Sequence, residues 1–301
     1  MKIVLFRFAC VVCAIFALRI PALAAPALLY ASEIAQVDVY DEYAAYPLPV
    51  AQLTTASGAS SPLGLAVDVG GNLWVANGGG NGTNAVLEYA PGSPTPSFVI
   101  PEPDSEAPAS IAVGSDGVVY VASYRAGSLH ETIAEYASGS KTPRLKFLAP
   151  SSYLGGIALD AAGNLYVAYQ LNDGRGGVER YKPNQSRGED LGISLTSTGG
   201  IAFDPQGRLV ALDSLARSVH VYALGTTKPL RTIRVDALLF YGTLALDRDG
   251  TRLYVAVGGG FCCGPAAIFA FDYKTGTQVG TITSGFPASY PATGLAVAPA
   301  R

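Results

Sequence analysis

The chain has 301 residues, 49% of them hydrophobic and only 14% charged, with Gly 35 and Pro 20 spread along its length. That density of Gly and Pro excludes an architecture of long helices, and Tyr 17 with Phe 11 at so low a charge excludes a disordered chain. Lys+Arg 20 against Asp+Glu 23, with no basic cluster, speaks against a surface that holds nucleic acid phosphates or anionic lipid.

The amino-terminal segment reads as an export signal. Lys2 and Arg7 precede the uncharged run Phe8 to Leu18, and Ala22-Leu23-Ala24 supplies the small-x-small pattern that precedes a cleavage point. The run falls short of the ~20 apolar residues that a bilayer-spanning helix needs. Cleavage after Ala24 is therefore expected: residues 1–24 form a signal peptide, residues 25–301 a single domain, and the mature protein is secreted or periplasmic without a membrane span. Loss of Lys2, Arg7 and Arg19 leaves 17 basic against 23 acidic residues, a net charge of −6. Cys10 and Cys13 leave with the signal, and neither follows the kind of sequence a lipid-anchored cysteine requires.

Beyond the signal the chain repeats one unit. Gly64-Leu-Ala-Val-Asp68 recurs as Ser110-Ile-Ala-Val-Gly114, Gly156-Ile-Ala-Leu-Asp160, Gly200-Ile-Ala-Phe-Asp204, Thr243-Leu-Ala-Leu-Asp247 and Gly294-Leu-Ala-Val297. The central alanines, Ala66, Ala112, Ala158, Ala202, Ala245 and Ala296, are spaced by 46, 46, 44, 43 and 51 residues. Gly71, Gly117, Gly163, Gly207 and Gly250 follow at a fixed offset, most beside an Asp or Asn, which is the chemistry of a tight hairpin turn. A second strand follows each turn (Leu73-Trp-Val-Ala76, Val119-Tyr-Val-Ala122, Leu165-Tyr-Val-Ala168, Leu209-Val-Ala-Leu212, Leu253-Tyr-Val-Ala256). A third ends on an aromatic residue, at Tyr89, Tyr136, Tyr181, Tyr222 and Phe271. Apolar runs this short and this rich in Val, Ile and Tyr are strands, and four strands per ~45 residues match a propeller blade. The rungs of a β-helix and the 20–29-residue leucine-rich repeat are both too short.

The two ends complete each other. The last unit stops after its first strand, while Leu28 to Ser32, Val37 to Asp41 and Val50 to Thr54 supply a second, third and fourth. The expectation is an all-β, six-bladed β-propeller of four-stranded antiparallel blades, one blade shared between the termini so that no free sheet edge is left at the seam.

The units resemble NHL repeats and the neighbouring six-bladed group of gluconolactonase-type, streptogramin-lyase-type and peptidyl-amidoglycolate-lyase propellers. The blade Gly200-Ile-Ala-Phe-Asp-Pro-Gln-Gly-Arg-Leu-Val-Ala-Leu-Asp-Ser214 with Ser218-Val-His-Val-Tyr222 carries the likeness most fully, and the likeness spans nearly all of the mature chain. It implies a fold more than an activity, because such propellers include lyases, hydrolases and binding platforms.

In that fold the long, unequal loops 77–84, 123–131, 169–177 and 257–265, with the segments around Glu102, Tyr153, Tyr241 and Tyr290, share one face, here called the upper face. Variable loops on a rigid ring are where binding residues collect, and aromatic rings offer contact area at low entropic cost. The candidate ligand-binding residues are Asn77, Tyr124, His130, Tyr153, Tyr169, Asp213, Tyr241, Phe261 and Tyr290. A lactonase-like metal on the axis would need carboxylate or imidazole ligands from several blades. The residues leading into the inner strands are Leu63-Gly64, Ala109-Ser110, Gly155-Gly156, Gly199-Gly200, Gly242-Thr243 and Thr293-Gly294, none of them a carboxylate or imidazole. Asn77 and Asp213, at the ends of second strands, belong to blades on opposite sides of the ring. Neither a Gly-x-Ser-x-Gly elbow, a His-Glu-x-x-His motif nor a phosphate loop occurs.

His130 lies in an upper loop, and His220 alternates with Val219 and Val221, which predicts burial between blades. Asp68, Asp160, Asp204 and Asp247 are expected to cap lower-face turns rather than bind calcium. Cys262 and Cys263 are adjacent in the Gly-rich loop Gly258-Gly-Gly-Phe-Cys-Cys-Gly-Pro265. In an oxidising compartment this favours a vicinal disulfide that stiffens the upper face, with free thiols and a metal-bound or intermolecular pair as alternatives. Asn81-Gly-Thr83 and Asn184-Gln-Ser186 fit the glycosylation pattern.

The reading is a monomeric, exported propeller that binds a protein, glycan or small-molecule ligand through its upper face. It engages no nucleic acid, catalytic residue, metal or cofactor. The alternative is a lactonase-like hydrolase or lyase with a metal on the axis.

Overall fold

A computed structural model describes residues 27–42, 48–78, 84–103, 106–125, 127–128, 130–151, 153–237, 239, 242–258, 265–286 and 292–298. The expected signal peptide, Tyr241, Phe261, Cys262, Cys263, Tyr290 and the Asn81 sequon lie outside the described residues.

The described chain forms six four-stranded antiparallel sheets arranged as the blades of a ring, numbered in chain order with the blade shared between the termini as blade one. Blade two shows the pattern. Pro62–Val67 runs down the axis, Leu73–Asn77 returns, Ala85–Tyr89 descends again and Phe98–Pro101 forms the outer edge. Asp68 and Gly71 close the first hairpin, with Gly71 at φ 78° and the Gly71 N–H donating to the Asp68 carbonyl at 3.0 Å. The same positive φ recurs at Gly117, Gly163, Gly207 and Gly250, so the fixed glycine offset in the sequence is the left-handed turn position.

Every second strand is apolar at consecutive positions because both of its faces are covered. Leu73 and Val75 pack with blade one, whereas Trp74 and Ala76 pack with blade three. Six apolar clusters lie one at each boundary between neighbouring blades. The period of two in a strand thus sends alternate side chains into opposite interfaces.

The seam is closed as expected. Gly294–Ala298 pairs antiparallel with Leu28–Ser32, in the register Leu28 to Ala298, Tyr30 to Ala296 and Ser32 to Gly294. Gln36–Asp41 and Pro49–Thr54 complete that blade. Its interface with blade six buries Leu29, Tyr40 and Leu295 against Tyr254 and Ile268.

The glycine that opens the repeat has a packing reason. A Cβ on Gly64 would stand 2.7 Å from the Ser110 Cα of the next blade, and one on Gly294 would stand 2.1 Å from the Leu63 carbonyl oxygen. At these two positions the neighbouring inner strand comes so close that only a hydrogen fits, whereas Ser110 and Thr243 hold the equivalent place in blades three and six.

Some boundaries differ from the sequence reading. The inner strand of blade three begins at Glu106, four residues before the repeat motif, with a bulge between Pro108 and Ser110. That of blade six is reduced to Leu244–Leu246, and the outer strand of blade four to Glu189–Asp190. His220 is half-buried rather than enclosed: its Nε2 lies 3.1 Å from Ser218 Oγ and its Nδ1 3.0 Å from Thr232 Oγ1. Burial lowers its pKa, an effect the nearby Asp213 charge partly reverses.

Candidate functional site

Two of the predicted residues, Asn77 and Asp213, sit at equivalent positions and brace the upper face. Each ends a second strand, and each is 2% exposed. Asn77 Oδ1 accepts from the Ser61 N–H at 2.9 Å, and its Nδ2 donates to Ser60 Oγ at 3.2 Å. Asp213 accepts from the N–H groups of Thr196, Ser197 and Ala216 at 2.7, 3.1 and 3.2 Å, and from Thr196 Oγ1 at 2.5 Å. In both blades the side chain holds the segment that leads into the blade's own inner strand.

Between these braced segments a cavity of about 530 Å³ runs down the axis. Its wall is inner-strand backbone and small or aliphatic side chains, from Leu63 to Val67 in blade two and from Gly294 to Val297 in the shared blade. Ser110, Thr243 and Thr293 add hydroxyls. Among the described residues one charged side chain lines it, Glu131, which no inner strand carries. Glu131 precedes the third strand of blade three, Thr132–Tyr136, and reaches across the blade boundary, where its Oε1 accepts from the Leu154 N–H at 3.1 Å. The residue is 7% exposed. Burial pushes its carboxyl up to about 7, against the opposing effect of the Leu154 N–H. The sequence reading placed mainly backbone on the axis, with no carboxylate or imidazole. Glu131 escaped it because a side chain that enters from the next blade leaves no mark in the repeat.

A second hollow, of about 430 Å³, opens on the upper face over blades four, five and six. Gln170, Asn172, Ser197 and Ser214 give it polar groups, and Leu171, Leu215 and Leu239 give it apolar ones. Leu215 is 71% exposed, a large apolar side chain held out at the rim. Tyr153 lines both the hollow and the axial cavity, so the two meet at this residue. The Ser151 hydroxyl fixes the start of the Tyr153 strand, accepting from the Tyr153 N–H at 2.9 Å and donating to the Gln170 carbonyl at 2.5 Å.

The other predicted residues spread around this centre. Tyr124 is 50% exposed at the end of Val119–Arg125. Tyr169 is half-buried, and burial raises its phenol pKa. His130 is exposed, its Nδ1 3.0 Å from the Ala149 carbonyl. Of the described candidates, Tyr153 alone touches both hollows. Among the described residues no group of three or more His, Cys, Asp or Glu side chains could hold a metal ion.

The lower-face aspartates do what the sequence suggested. Asp68 accepts from the Asn72 N–H and Nδ2, both at 2.9 Å, and from Trp74 Nε1 at 3.1 Å. Asp160 accepts from the Asn164 N–H and Nδ2 at 2.9 and 2.8 Å, and Asp247 from the Thr251 N–H at 2.7 Å. These three carboxylates are engaged by their own hairpins, and Asp204 adds a bond from the Tyr273 hydroxyl of the next blade.

The architecture defines the class of protein, a six-bladed β-propeller. Among solved structures, the chain is similar to one of a nidogen/laminin complex, with 15% identity over 91% of this chain and 98% of that one and a TM-score of 0.68. A protein of unknown function from Bacteroides caccae matches at 14% identity, over 91% of this chain and 99% of that one, with a TM-score of 0.67. TolB from Acinetobacter baumannii matches at 12% identity, over 91% of this chain and 67% of that one, with a TM-score of 0.66. Likeness at such identities is one of fold. No protein-family model matches the sequence, and no curated protein matches it significantly.

Proposed function

We propose that the chain is an exported propeller of the NHL type whose upper face binds a ligand or a partner protein. The observation that carries this reading is the meeting of the axial cavity and the upper hollow at Tyr153, on the side where the long loops emerge. The lower side is occupied by hairpins whose carboxylates are engaged internally, which leaves the upper side as the surface with spare groups. Export rests on Lys2, Arg7, the run Phe8 to Leu18 and Ala22-Leu23-Ala24. A propeller of the same architecture occurs in a nidogen/laminin complex, which supports a protein as one kind of partner.

Cross-linking mass spectrometry on the protein in its own exported compartment tests the reading. Cross-links at Tyr124, Tyr153 and Leu215 are expected. Cross-links confined to the lower turns, at Asp116, Asp160 and Gly207, would refute it.

One observation favours a catalytic alternative, the carboxyl of Glu131 held near neutrality inside a cavity, where it suits proton transfer. A lactonase-like centre would need further ligands converging on Glu131, and none lines the cavity among the described residues. Chelator-sensitive turnover of lactones, lost in Glu131→Gln, would establish that alternative.

A further inference from the structure

We propose that the axial cavity is a site for a small organic ammonium ion, its positive end on Glu131 and beside Tyr153, its apolar body along the inner strands. The proposal rests on the upper face being the binding face and names a ligand class for it.

The argument starts from charge. The cavity, about 530 Å³, is lined by backbone, aliphatic side chains, hydroxyls and the aromatic residues Tyr153 and Phe203, with Glu131 as its single charged lining residue among those described. One carboxylate oxygen, Oε1, accepts from the Leu154 N–H at 3.1 Å. Oε2 accepts no hydrogen bond among the described residues and is not one of the side-chain atoms sealed from solvent, so that oxygen is open to the cavity. A largely buried carboxylate with one oxygen open to the cavity is stabilised by a cation that enters beside it.

Other groups near Glu131 do not supply that cation. His130 sets its Nδ1 at 3.0 Å from the Ala149 carbonyl, and Lys146 is paired with Glu106, which also accepts from Thr132 Oγ1 at 3.3 Å. Burial and the Leu154 N–H are what move the Glu131 carboxyl, with no charged neighbour contributing.

The surroundings select the kind of cation. A divalent metal needs about six oxygen ligands, or about four mixed ones, and one carboxylate cannot provide them. An ammonium needs one carboxylate and accepts an aromatic face as a second partner. Tyr153 and Leu154 are consecutive, so the residue that holds the carboxylate and the one that joins both hollows stand at one edge of the cavity. Leu63, Leu65 and Ile111 supply apolar wall for the rest of the molecule.

The test compares benzylamine with benzyl alcohol, which match in shape and differ in charge, by calorimetry and by site-resolved amide shifts. At pH 8 the amine is expected to bind about tenfold more tightly than the alcohol. Benzylamine remains protonated between pH 6 and 8 while the carboxyl ionises across about 7, so the preference should shrink at pH 6. Glu131→Gln keeps an acceptor for the Leu154 N–H and should abolish the preference without unfolding, and Tyr153→Leu should weaken the amine several-fold. Equal affinities, no binding of either probe, or a preference that survives in Glu131→Gln would overturn the proposal. Shifts at the upper rim without discrimination would sink the ammonium assignment alone, whereas shifts confined to the lower turns would sink the upper-face reading with it.

Discussion

Asp204 closes the first hairpin of blade five and reaches further than its own turn. It accepts from the N–H groups of Gln206 and Arg208 at 3.0 and 2.9 Å, from Arg208 Nε at 2.6 Å, and from the Tyr273 hydroxyl of blade six at 2.9 Å. Burial raises its pKa, but the Arg208 and Tyr273 bonds outweigh burial and hold it below the usual Asp range. A lowered pKa means a contribution present at neutral pH and lost as pH falls through the folded value. Asp204→Ala should therefore destabilise the protein by about 3 kcal/mol at pH 7 in urea unfolding, because it strands a buried phenol and a guanidinium as well as the turn. A loss below about 1 kcal/mol would show that the turn holds without its carboxylate. The buried glutamates behave oppositely. Burial pushes Glu42 and Glu131 up to about 7, and burial, a hydrogen bond and the charge of Asp38 together push Glu33 well above the carboxylate range. Raised acids contribute stability that is complete below their unfolded values and is lost as pH rises through the folded ones. The melting temperature should thus fall between pH 5 and pH 8, and Glu33→Gln should flatten that slope; an unchanged slope would remove Glu33 from the account. The turn aspartates were legible because each caps backbone N–H groups within four residues of itself, whatever further partners it takes. Glu131 was not, since its partner, the Leu154 N–H, comes from the next blade, and Glu33 was not, since its burial and its contact with Asp38 leave no mark in the repeat.

At the scale of elements, the tyrosine that ends the third strand serves as a latch between blades in blades one, two and three, whereas the Tyr181 hydroxyl donates to Glu179 of its own strand and Phe271 has no hydroxyl. The Tyr89 hydroxyl of blade two donates to the Ser57 carbonyl at 2.7 Å, that of Tyr136 in blade three to Glu102 Oε1 at 2.6 Å, and that of Tyr40 in blade one to the Ser284 carbonyl at 2.8 Å. Each acceptor follows the outer strand of the preceding blade. The sequence showed the aromatic at its fixed place but not its partner, because the acceptors share no residue type. Tyr136→Phe should cost about 1.5 kcal/mol, the net value of a hydrogen bond to a buried acceptor. It should also raise the Glu102 pKa further, since burial already raises that carboxyl and the Tyr136 bond counters it. A double-mutant cycle with Glu102→Gln should give a coupling above about 0.5 kcal/mol. Strict additivity would mean that ring packing, not the hydroxyl, is what the position supplies. Strand positions were readable for a related reason: a strand covered on both faces must be apolar at successive residues, and no helix of that length buries itself so completely. The two-residue outer strand of blade four shows where this fails, because an outer strand faces solvent and carries no such demand.

For the molecule as a whole, the ring holds together only if its ends meet, and the meeting has a specific chemistry. Leu295 is 5% exposed in the apolar cluster with Leu29, Tyr40 and Tyr254, and Gly294 lets its strand approach the Leu63 carbonyl as a larger residue could not. Ser32 Oγ donates to that same Leu63 carbonyl at 2.5 Å and lies 3.1 Å from Thr293 Oγ1, so blades one and two are tied where the seam closes. Truncation before Gly294 would strip the partner from Leu28–Ser32, leave an unpaired inner edge, and remove the Gly294 to Val297 wall from the axial cavity. The combined loss of one buried leucine and a strand ladder is on the order of 5 kcal/mol, which lowers the melting temperature by roughly 10–15 °C for a domain of this size. Limited proteolysis should then cut first within residues 28–54. A synthetic peptide spanning residues 292–301, added in trans, should restore both protection and ligand binding, because the blade it completes also forms one side of the axial site. If the truncated chain melted like the intact one, the seam would be incidental, and the cavity that depends on it would lose its wall without consequence.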